Sequence, residues 1–121
     1  MNKGRKISGG KYHANRKRKL FEKAGQENIV TLGDIKRKKI RARGGRNKTI
    51  LLKANTANIL TSKGAKKTEI KNVLETPQNK FFARQNRLLK GAIIETGLGK
   101  ARITNRPSRE GMINAILLEE Q

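Results

Sequence analysis

A chain of 121 residues is long enough for one domain with one hydrophobic core and too short for two such domains. Its 30 Lys and Arg residues oppose nine Asp and Glu residues, so the net charge is +21 and the pI is near 11.3. A charge of this density and sign predicts a polyanionic partner. The chain has no cysteine, which excludes disulfides, thiolate metal sites and cysteine nucleophiles.

Apolar runs are short along the whole chain. The longest, residues 115–118, has four residues, whereas a membrane-spanning helix needs about 20 and the core of a signal peptide about 7 to 15. We therefore expect a soluble protein with no membrane partner and no secretory signal.

The first 28 residues differ in composition from the rest. Only Ile7, Leu20 and Phe21 belong to the Leu/Ile/Val/Phe set there, whereas 25 of the 93 residues from 29 to 121 do. A highly charged segment this poor in large apolar side chains cannot bury enough surface to offset the entropy lost on ordering. We therefore expect residues 1–28 to be a basic, flexible arm and residues 29–121 to be a folded domain.

The arm supplies the first group of candidate contacts to nucleic acid. Two other roles are open for such a segment, namely a solubilising tail and a targeting signal. The paired glycines Gly9 and Gly10 disfavour the amphipathic helix of a transit peptide. The candidate cations of the arm are Arg5, Lys6, Lys11, Arg16, Lys17, Arg18 and Lys19.

The next segment predicts a basic hairpin. In residues 39–43 the cations alternate with Ile40 and Ala42, which places the charges and the apolar side chains on opposite faces of an extended chain. Residues 44–47 have the composition of a turn, and residues 49–53 form the return strand. Because the return strand is apolar on both faces, we expect it to lie inside a sheet.

The following residues predict more strands and one helix. The helix begins with Thr76 as its capping residue and Pro77 at its first position, ends near Gln85, and offers Phe81 and Phe82 to the core. Short strands with glycine turns predict an all-β fold, a small six- to seven-stranded β-barrel-like domain with one short helix and a disordered basic N-terminal arm. The predicted strands are residues 39–43, 49–53, 56–60, 68–74, 92–96, 100–105 and 112–118.

Residues suited to catalysis are scarce. His13 is the only histidine and lies in the arm, which excludes a Ser/His/Asp arrangement and a multi-histidine metal site. Glu119 and Glu120 are adjacent at the end of the chain and the other acids are isolated among cations, so no carboxylate pair is indicated. We expect no enzymatic activity, no metal, no cofactor and no small-molecule substrate.

One short motif resembles part of a phosphate-binding loop. Residues 97–100 read Gly-Leu-Gly-Lys, but Ala101 stands where Ser or Thr would bind magnesium, and no glycine lies five positions before Gly99. A hairpin turn is the better interpretation of this motif.

The predicted hairpin supplies the second group of candidate contacts. Many charged faces of proteins contact only solvent. No Asp or Glu occurs from Lys36 to Lys53, however, and this absence favours contact with phosphates. The aromatic residues are only Tyr12, Phe21, Phe81 and Phe82, two of them expected in the core, so we predict recognition by shape and backbone with little readout of bases. The candidate cations here are Lys36, Arg37, Lys39, Arg41, Arg43, Arg46 and Lys48.

Three motifs in the same order along the chain resemble the S-eight-e family of small-subunit ribosomal proteins. They read KISGGK at residues 6–11, RARGG at 41–45 and KGAIIETGLGKARITNRP at 90–107. The resemblance covers almost the whole chain. Eukaryotic members carry a long insertion in the second half that is absent here, so the resemblance is to the archaeal form.

The resemblance implies a β-barrel-like body with an extended arm, embedded in small-subunit ribosomal RNA beside neighbouring small-subunit ribosomal proteins. It implies a structural role in the small subunit of the cytoplasmic ribosome. At the matching positions it implies RNA contacts by Arg5, Lys6, Lys11, Arg41, Arg43, Arg46, Arg102 and Arg106. Gly9, Gly10, Gly44 and Gly45 would allow close backbone approach to phosphate or serve simply as turn residues.

Two other nucleic-acid functions remain open. A eukaryotic relative of this family is a ribosome-assembly factor that carries a similar domain behind a long charged helical extension, which this chain lacks. A non-specific architectural protein that compacts DNA would also need a basic arm and a basic face. An assembly factor would occur only in precursors of the subunit, whereas a structural constituent would also be present in mature subunits. A DNA-compacting protein would bind duplex DNA and ribosomal RNA with equal affinity.

Overall fold

The computed structural model describes residues 4–118, so Glu119, Glu120 and the first three residues of the predicted arm lie outside the described residues. Within this part of the chain there are eight strands, one α-helix and two short 3₁₀ turns, at Leu20–Glu22 and Arg43–Gly45. The helix α1 is Lys80–Arg84. The strands are β1 (Thr31–Leu32), β2 (Lys36–Arg41), β3 (Asn47–Ala54), β4 (Thr56–Thr61), β5 (Gly64–Glu75), β6 (Ile93–Thr96), β7 (Gly99–Ile103) and β8 (Asn114–Leu117).

The strands form two sheets. The five strands β4 to β8 close into a barrel in chain order, and β8 completes it by pairing in parallel with β4. A separate three-stranded sheet has the order β1-β3-β2, with β3 in the centre and the basic strand β2 at one edge. The central position of β3 confirms the prediction made from its two apolar faces.

One core joins the barrel to the smaller sheet. Along the barrel strands the buried residues alternate with exposed or half-buried ones, as expected when one face of each strand points inward. Small side chains at Ala57, Ala101 and Ala115 suit the narrow interior of a five-stranded barrel. Leu51 and Ala54 of β3 belong to the same buried cluster, so the sheet packs on the barrel through apolar contacts.

We expect Ile94→Ala to destabilise the protein by about 2 to 5 kcal/mol. Ile94 of β6 is fully buried, so its replacement removes apolar contacts and leaves a cavity in the shared core. Ile116→Ala on β8 is the control, because this side chain is 44% exposed and should cost less than about 1 kcal/mol. Urea unfolding of the two variants measures the difference, and equal losses would contradict this description of the core.

The all-β, barrel-like fold class with one short helix is confirmed. The described residues contain eight strands, whereas six to seven were predicted. The prediction did not include β1, which has only two residues and pairs in parallel with a distant part of the chain in β3, so no local pattern indicates it. Only five strands close the barrel, while the predicted hairpin of β2 and β3 lies in the other sheet.

The predicted start of the helix is wrong by three residues. Asn79 caps α1, accepting a hydrogen bond at its side-chain oxygen from the backbone N–H of Phe81 at 3.0 Å. The hydroxyl of Thr76 is instead buried and donates to the carbonyl of Asn79, which fixes the turn before the helix. The expectation of a core position is also wrong for Phe81, which is 63% exposed, while Phe82 is half-buried.

Candidate nucleic-acid interface

Strand β2 is the most uniformly basic surface of the folded body. Its sequence is Lys-Arg-Lys-Lys-Ile-Arg, and all six residues are exposed. It pairs antiparallel with β3 over its whole length, with Arg41 opposite Asn47 at the turn end of the hairpin. The pairing holds the cations at fixed spacing along a rigid strand, which suits a row of phosphates.

The cations of β2 lie on both faces of the hairpin. Alternation puts Arg37, Lys39 and Arg41 on one face and Lys38 on the other. Lys39 and Arg41 share a face as predicted, but the strand ends at Arg41, so Arg43, which was expected on the same face, lies in the 3₁₀ turn Arg43–Gly45. Ile40 shares that other face with Lys48, its partner in the register, and remains 37% exposed. The hairpin therefore presents positive charge to both sides.

Arg37 connects the hairpin to the barrel. Its Nε donates to the carbonyl of Gly111 at 2.8 Å, and the backbone N–H of Leu51 donates to the carbonyl of Pro107 at 3.3 Å. A groove between the two sheets is lined by Arg37, Lys67 and the apolar side chains of Leu51 and Ile113. These contacts fix the root of the hairpin and leave its tip to project.

The tip of the hairpin depends on two glycines. Gly44 and Gly45 both have φ of 78°, a left-handed conformation that other residues adopt at a cost. The N–H of Ala42 donates to the carbonyl of Arg46 at 2.7 Å across this turn, which brings Arg43 and Arg46 to the end of the hairpin. A side chain built at either glycine would meet no atom within 4 Å, so this backbone is open to an approaching ligand.

The first motif of the arm forms a small loop. Arg5 and Lys11 form a β-bridge, and the N–H of Lys6 donates to the carbonyl of Gly10 at 2.9 Å. Gly9 has φ of 82°, whereas Gly10 lies outside the left-handed region, so only Gly9 needs to be glycine for conformational reasons. The guanidinium of Arg5 donates to the carbonyl of Gly9 at 3.2 Å and remains exposed.

A second local structure of the arm surrounds Glu22. Arg16 donates to both carboxylate oxygens of Glu22, at 2.8 and 3.0 Å, and the backbone N–H of Lys19 donates to the same carboxylate at 3.0 Å. The hydrogen bonds from Arg16 and then from Lys19 lower the pKa of Glu22 below its ordinary value of 4.5. Arg16 is therefore engaged within the arm, and Lys17 and Arg18 are exposed beside it.

Acid is expected to open the turn at Leu20–Glu22. The pKa of Glu22 is lowered in the ordered turn, so the ionised carboxylate stabilises the turn. This stabilisation is complete above about pH 4.5 and is lost as the pH falls through the lowered pKa. The amide proton signal of Lys19, followed by NMR against pH, should shift with a midpoint below 4.5. Glu22→Gln should lack this transition, and a wild-type midpoint at or above 4.5 would contradict the assignment.

The two candidate cations of the third motif, Arg102 and Arg106, lie on β7 and in the loop that follows it. Arg102 is exposed on β7 and shares a shallow groove with Pro77, Lys90 and Gly91. Arg106 is exposed at the start of a turn, and its carbonyl accepts from the N–H groups of Arg109 and Glu110 at 3.0 and 3.1 Å. The structure thus distributes the candidate cations over the arm, the hairpin and one side of the barrel.

The phosphate-loop fragment is part of a hairpin, as predicted. Thr96 pairs with Gly99 and Glu95 with Lys100 across the β6–β7 turn, so a strand follows where a phosphate loop would open a helix. Between residues 4 and 118, no group of three or more His, Asp or Glu side chains could hold a metal ion. The same residues contain no helix long and apolar enough to cross a membrane.

Sequence reasoning missed one basic and aromatic surface around α1. Arg84 lies over the ring of Phe81 with its Cζ 5.7 Å from the centroid, and Arg87 lies over Phe82 at 4.4 Å. An available signal was the absence of Asp and Glu from residues 76–94, which contain four cations. The proximity of Lys90 to Arg102 depends on the fold and had no local signal.

The fold and the charge distribution together define a small, strongly basic β-barrel protein with cations on an edge hairpin and an exposed arm. A model of the family described as Ribosomal protein S8e matches residues 1–118. The chain belongs to the Ribosomal protein S8e family, which confirms the resemblance found in its motifs.

Relatives from archaea match nearly the whole chain. The small ribosomal subunit protein eS8 of Methanocorpusculum labreanum is 42% identical over 117 residues, which cover 95% of this chain and 94% of that protein. The corresponding protein of Methanococcus aeolicus is 43% identical over 120 residues, covering 96% and 93%. That of Sulfolobus acidocaldarius is 43% identical over an alignment of 123 positions, which covers 98% of this chain and 95% of that protein.

Proposed function

We propose that this protein is a structural constituent of the small ribosomal subunit that binds small-subunit ribosomal RNA through its backbone and shape. The observation that carries the proposal is strand β2, in which five of six residues are cations and all six are exposed. A row of this kind binds phosphates by charge and by hydrogen bonds and releases the counterions condensed on the RNA. Family membership supplies the ribosomal setting.

The chain divides by function into an arm, residues 1–28, and a body, residues 29–121. Burial supports this division, because Val30 is the first buried residue of the described chain. The hydrogen bonds that the structure shows for residues 4–28 join residues at most six positions apart. An arm held only by local bonds can follow the surface of a partner and order there.

The arm and the hairpin act together on RNA. The arm lies between RNA helices and neutralises their mutual repulsion, while the body provides a fixed platform. Guanidinium groups at the hairpin tip donate paired hydrogen bonds to phosphate oxygens. Open backbone at Gly44 and Gly45 lets a phosphate approach closely. The cations placed against RNA are Arg5, Lys6, Lys11, Arg16, Lys17, Arg18, Lys19, Lys36, Arg37, Lys39, Arg41, Arg43, Arg46, Lys48, Arg102 and Arg106.

The experiment is a comparison of two nucleic acids at matched salt. The purified chain is titrated with a small-subunit rRNA transcript and with duplex DNA of equal phosphate concentration, from 50 to 500 mM salt. We expect tighter binding to rRNA at every salt concentration, with a logarithmic slope of about −0.7 to −0.9 for each phosphate contact. Equal affinities would favour an architectural protein of DNA, and loss of the protein from mature, salt-washed subunits would favour an assembly factor.

A further inference from the structure

Phe81 is an exposed aromatic side chain on a rigid part of the body. The ring belongs to α1, yet 63% of the residue remains exposed. Full burial of a Phe side chain in a core contributes about 1.5 to 3 kcal/mol to stability. A single exposed apolar side chain is common on protein surfaces, so the case for a binding partner depends on the order and the charge of the residues around the ring.

The segment around Phe81 is held in place from both ends. Asn79 caps the helix, and Nε2 of Gln78 donates to the carbonyl of Lys90 at 2.7 Å. After the helix, Asn86 adopts a left-handed φ of 51°, and the N–H of Arg87 donates to the carbonyl of Phe82 at 3.0 Å. The ring of Phe81 is thus carried by an ordered backbone that needs no rearrangement before it binds.

The charges around Phe81 favour a nucleic acid over a protein. Residues 76–94 contain Lys80, Arg84, Arg87 and Lys90 and no Asp or Glu, and Arg102 shares a groove with Lys90. Glu75 lines the adjoining groove together with Lys80. The guanidinium of Arg84 lies 5.7 Å from the centroid of the ring, so aromatic surface and phosphate-binding charge occur side by side. That combination is typical of sites that stack an unpaired base and hold its phosphate.

This surface lies on the side of the small sheet opposite to β2. Strand β3 pairs with β1 on one side and with β2 on the other, so β1 and β2 are the two outer strands of this sheet. The residues after α1 continue along β1, with a bridge between Thr31 and Arg87 and a hydrogen bond from the N–H of Leu32 to the carbonyl of Asn86 at 3.0 Å. RNA held by β2 therefore leaves Phe81 free for a second RNA element.

We propose that Phe81 stacks on an unpaired base of small-subunit ribosomal RNA, with Arg84 and Lys90 contacting the adjacent phosphates. The proposal rests on the proposed function, because it assumes that the chain binds ribosomal RNA. It adds a base contact on the body to a recognition otherwise made through backbone and shape.

Affinity and its salt dependence test the stacking directly. In the full chain with the rRNA transcript, Phe81→Ala should weaken binding at least about fivefold, the lower end for loss of one base stack, with an unchanged salt slope because no phosphate contact is lost. Phe81→Leu should behave like Phe81→Ala, and Phe81→Trp should retain the affinity. Leu60→Ala is the matched control, since Leu60 is 54% exposed on β4 and should have no effect.

Cross-linking identifies the base. Ultraviolet irradiation of the complex should join the peptide containing Phe81 to one nucleotide, and mass spectrometry locates it. An abasic replacement of that nucleotide should weaken wild-type binding as much as Phe81→Ala does. Combining the two changes should give no additional loss, because both remove the same contact.

The outcomes separate this proposal from the proposed function. If Phe81→Ala binds as wild type while Arg41→Ala with Arg43→Ala binds weakly, the stacking is wrong and RNA binding stands. If the wild-type chain binds the rRNA transcript no more tightly than duplex DNA, the proposed function fails whatever Phe81→Ala does. If the peptide containing Phe81 cross-links to a protein in assembled subunits and to no nucleotide, the surface is a protein interface and the proposal is overturned.

Discussion

Replacing Arg41 and Arg43 by glutamate is expected to weaken binding to small-subunit ribosomal RNA about 100-fold at 0.15 M salt. Both side chains are exposed at the tip of the hairpin, so the change removes two phosphate contacts and sets two negative charges against the RNA. The salt slope should become shallower by about 1.4 to 1.8, the value for two contacts. Incorporation into reconstituted subunits should fall in parallel.

The control for this double variant must keep the same change in net charge. Lys63→Glu with Lys66→Glu alters two exposed lysines of the barrel, in the turn before β5 and near the start of that strand. We expect it to weaken binding only several-fold through long-range repulsion. Thermal unfolding of both variants should match wild type, because none of the four side chains is buried. Normal incorporation of the hairpin variant at physiological salt would contradict the assignment.

Removal of residues 1–28 is expected to reduce RNA affinity by about 1,000-fold or more at physiological salt while the body stays folded. The segment carries nine of the Lys and Arg residues, and residues 4–28 include no buried side chain. Deleting it should therefore shift the midpoint of thermal unfolding by no more than a few degrees, because the core is untouched. Filter binding and calorimetry on the shortened chain measure the two quantities.

A second variant tests whether the charge of the arm, and not only its presence, contributes to RNA affinity. Replacement of Arg16, Lys17, Arg18 and Lys19 by glutamine keeps the length and should cause a large part of the same loss of affinity. A solubilising tail would behave differently, because its removal would leave RNA affinity unchanged and lower only solubility. A drop in the unfolding midpoint on deletion would show that the arm stabilises the body.

Most strands of the body were predictable, because short-range patterns and turn residues determine them, and β1 is the exception. The predicted strands 92–96 and 100–105 flank a glycine turn, and β6 and β7 lie within two residues of these limits. The charge of β2 is equally local, so the hairpin was found as a candidate site from sequence. The family motifs carried the rest of the functional prediction.

The features of the fold that could not be predicted from the sequence depend on contacts between distant residues. The parallel pairing of β8 with β4 closes the barrel across more than fifty residues, and no periodicity encodes it. Thr76 has the residue type of a helix cap, but its hydroxyl is used inside the preceding turn and Asn79 takes that role. Phe81 is apolar enough for the core, yet it is 63% exposed on α1, and this placement depends on the fold.

The exposed edge of β2 has a consequence for the protein before it meets RNA. An unpaired strand edge can add a strand from a second copy, which leads to aggregation. Five cations on this strand make two such edges repel each other, so the free chain should remain monomeric at low salt. The charge that is proposed to bind RNA thus also keeps free copies of the chain apart.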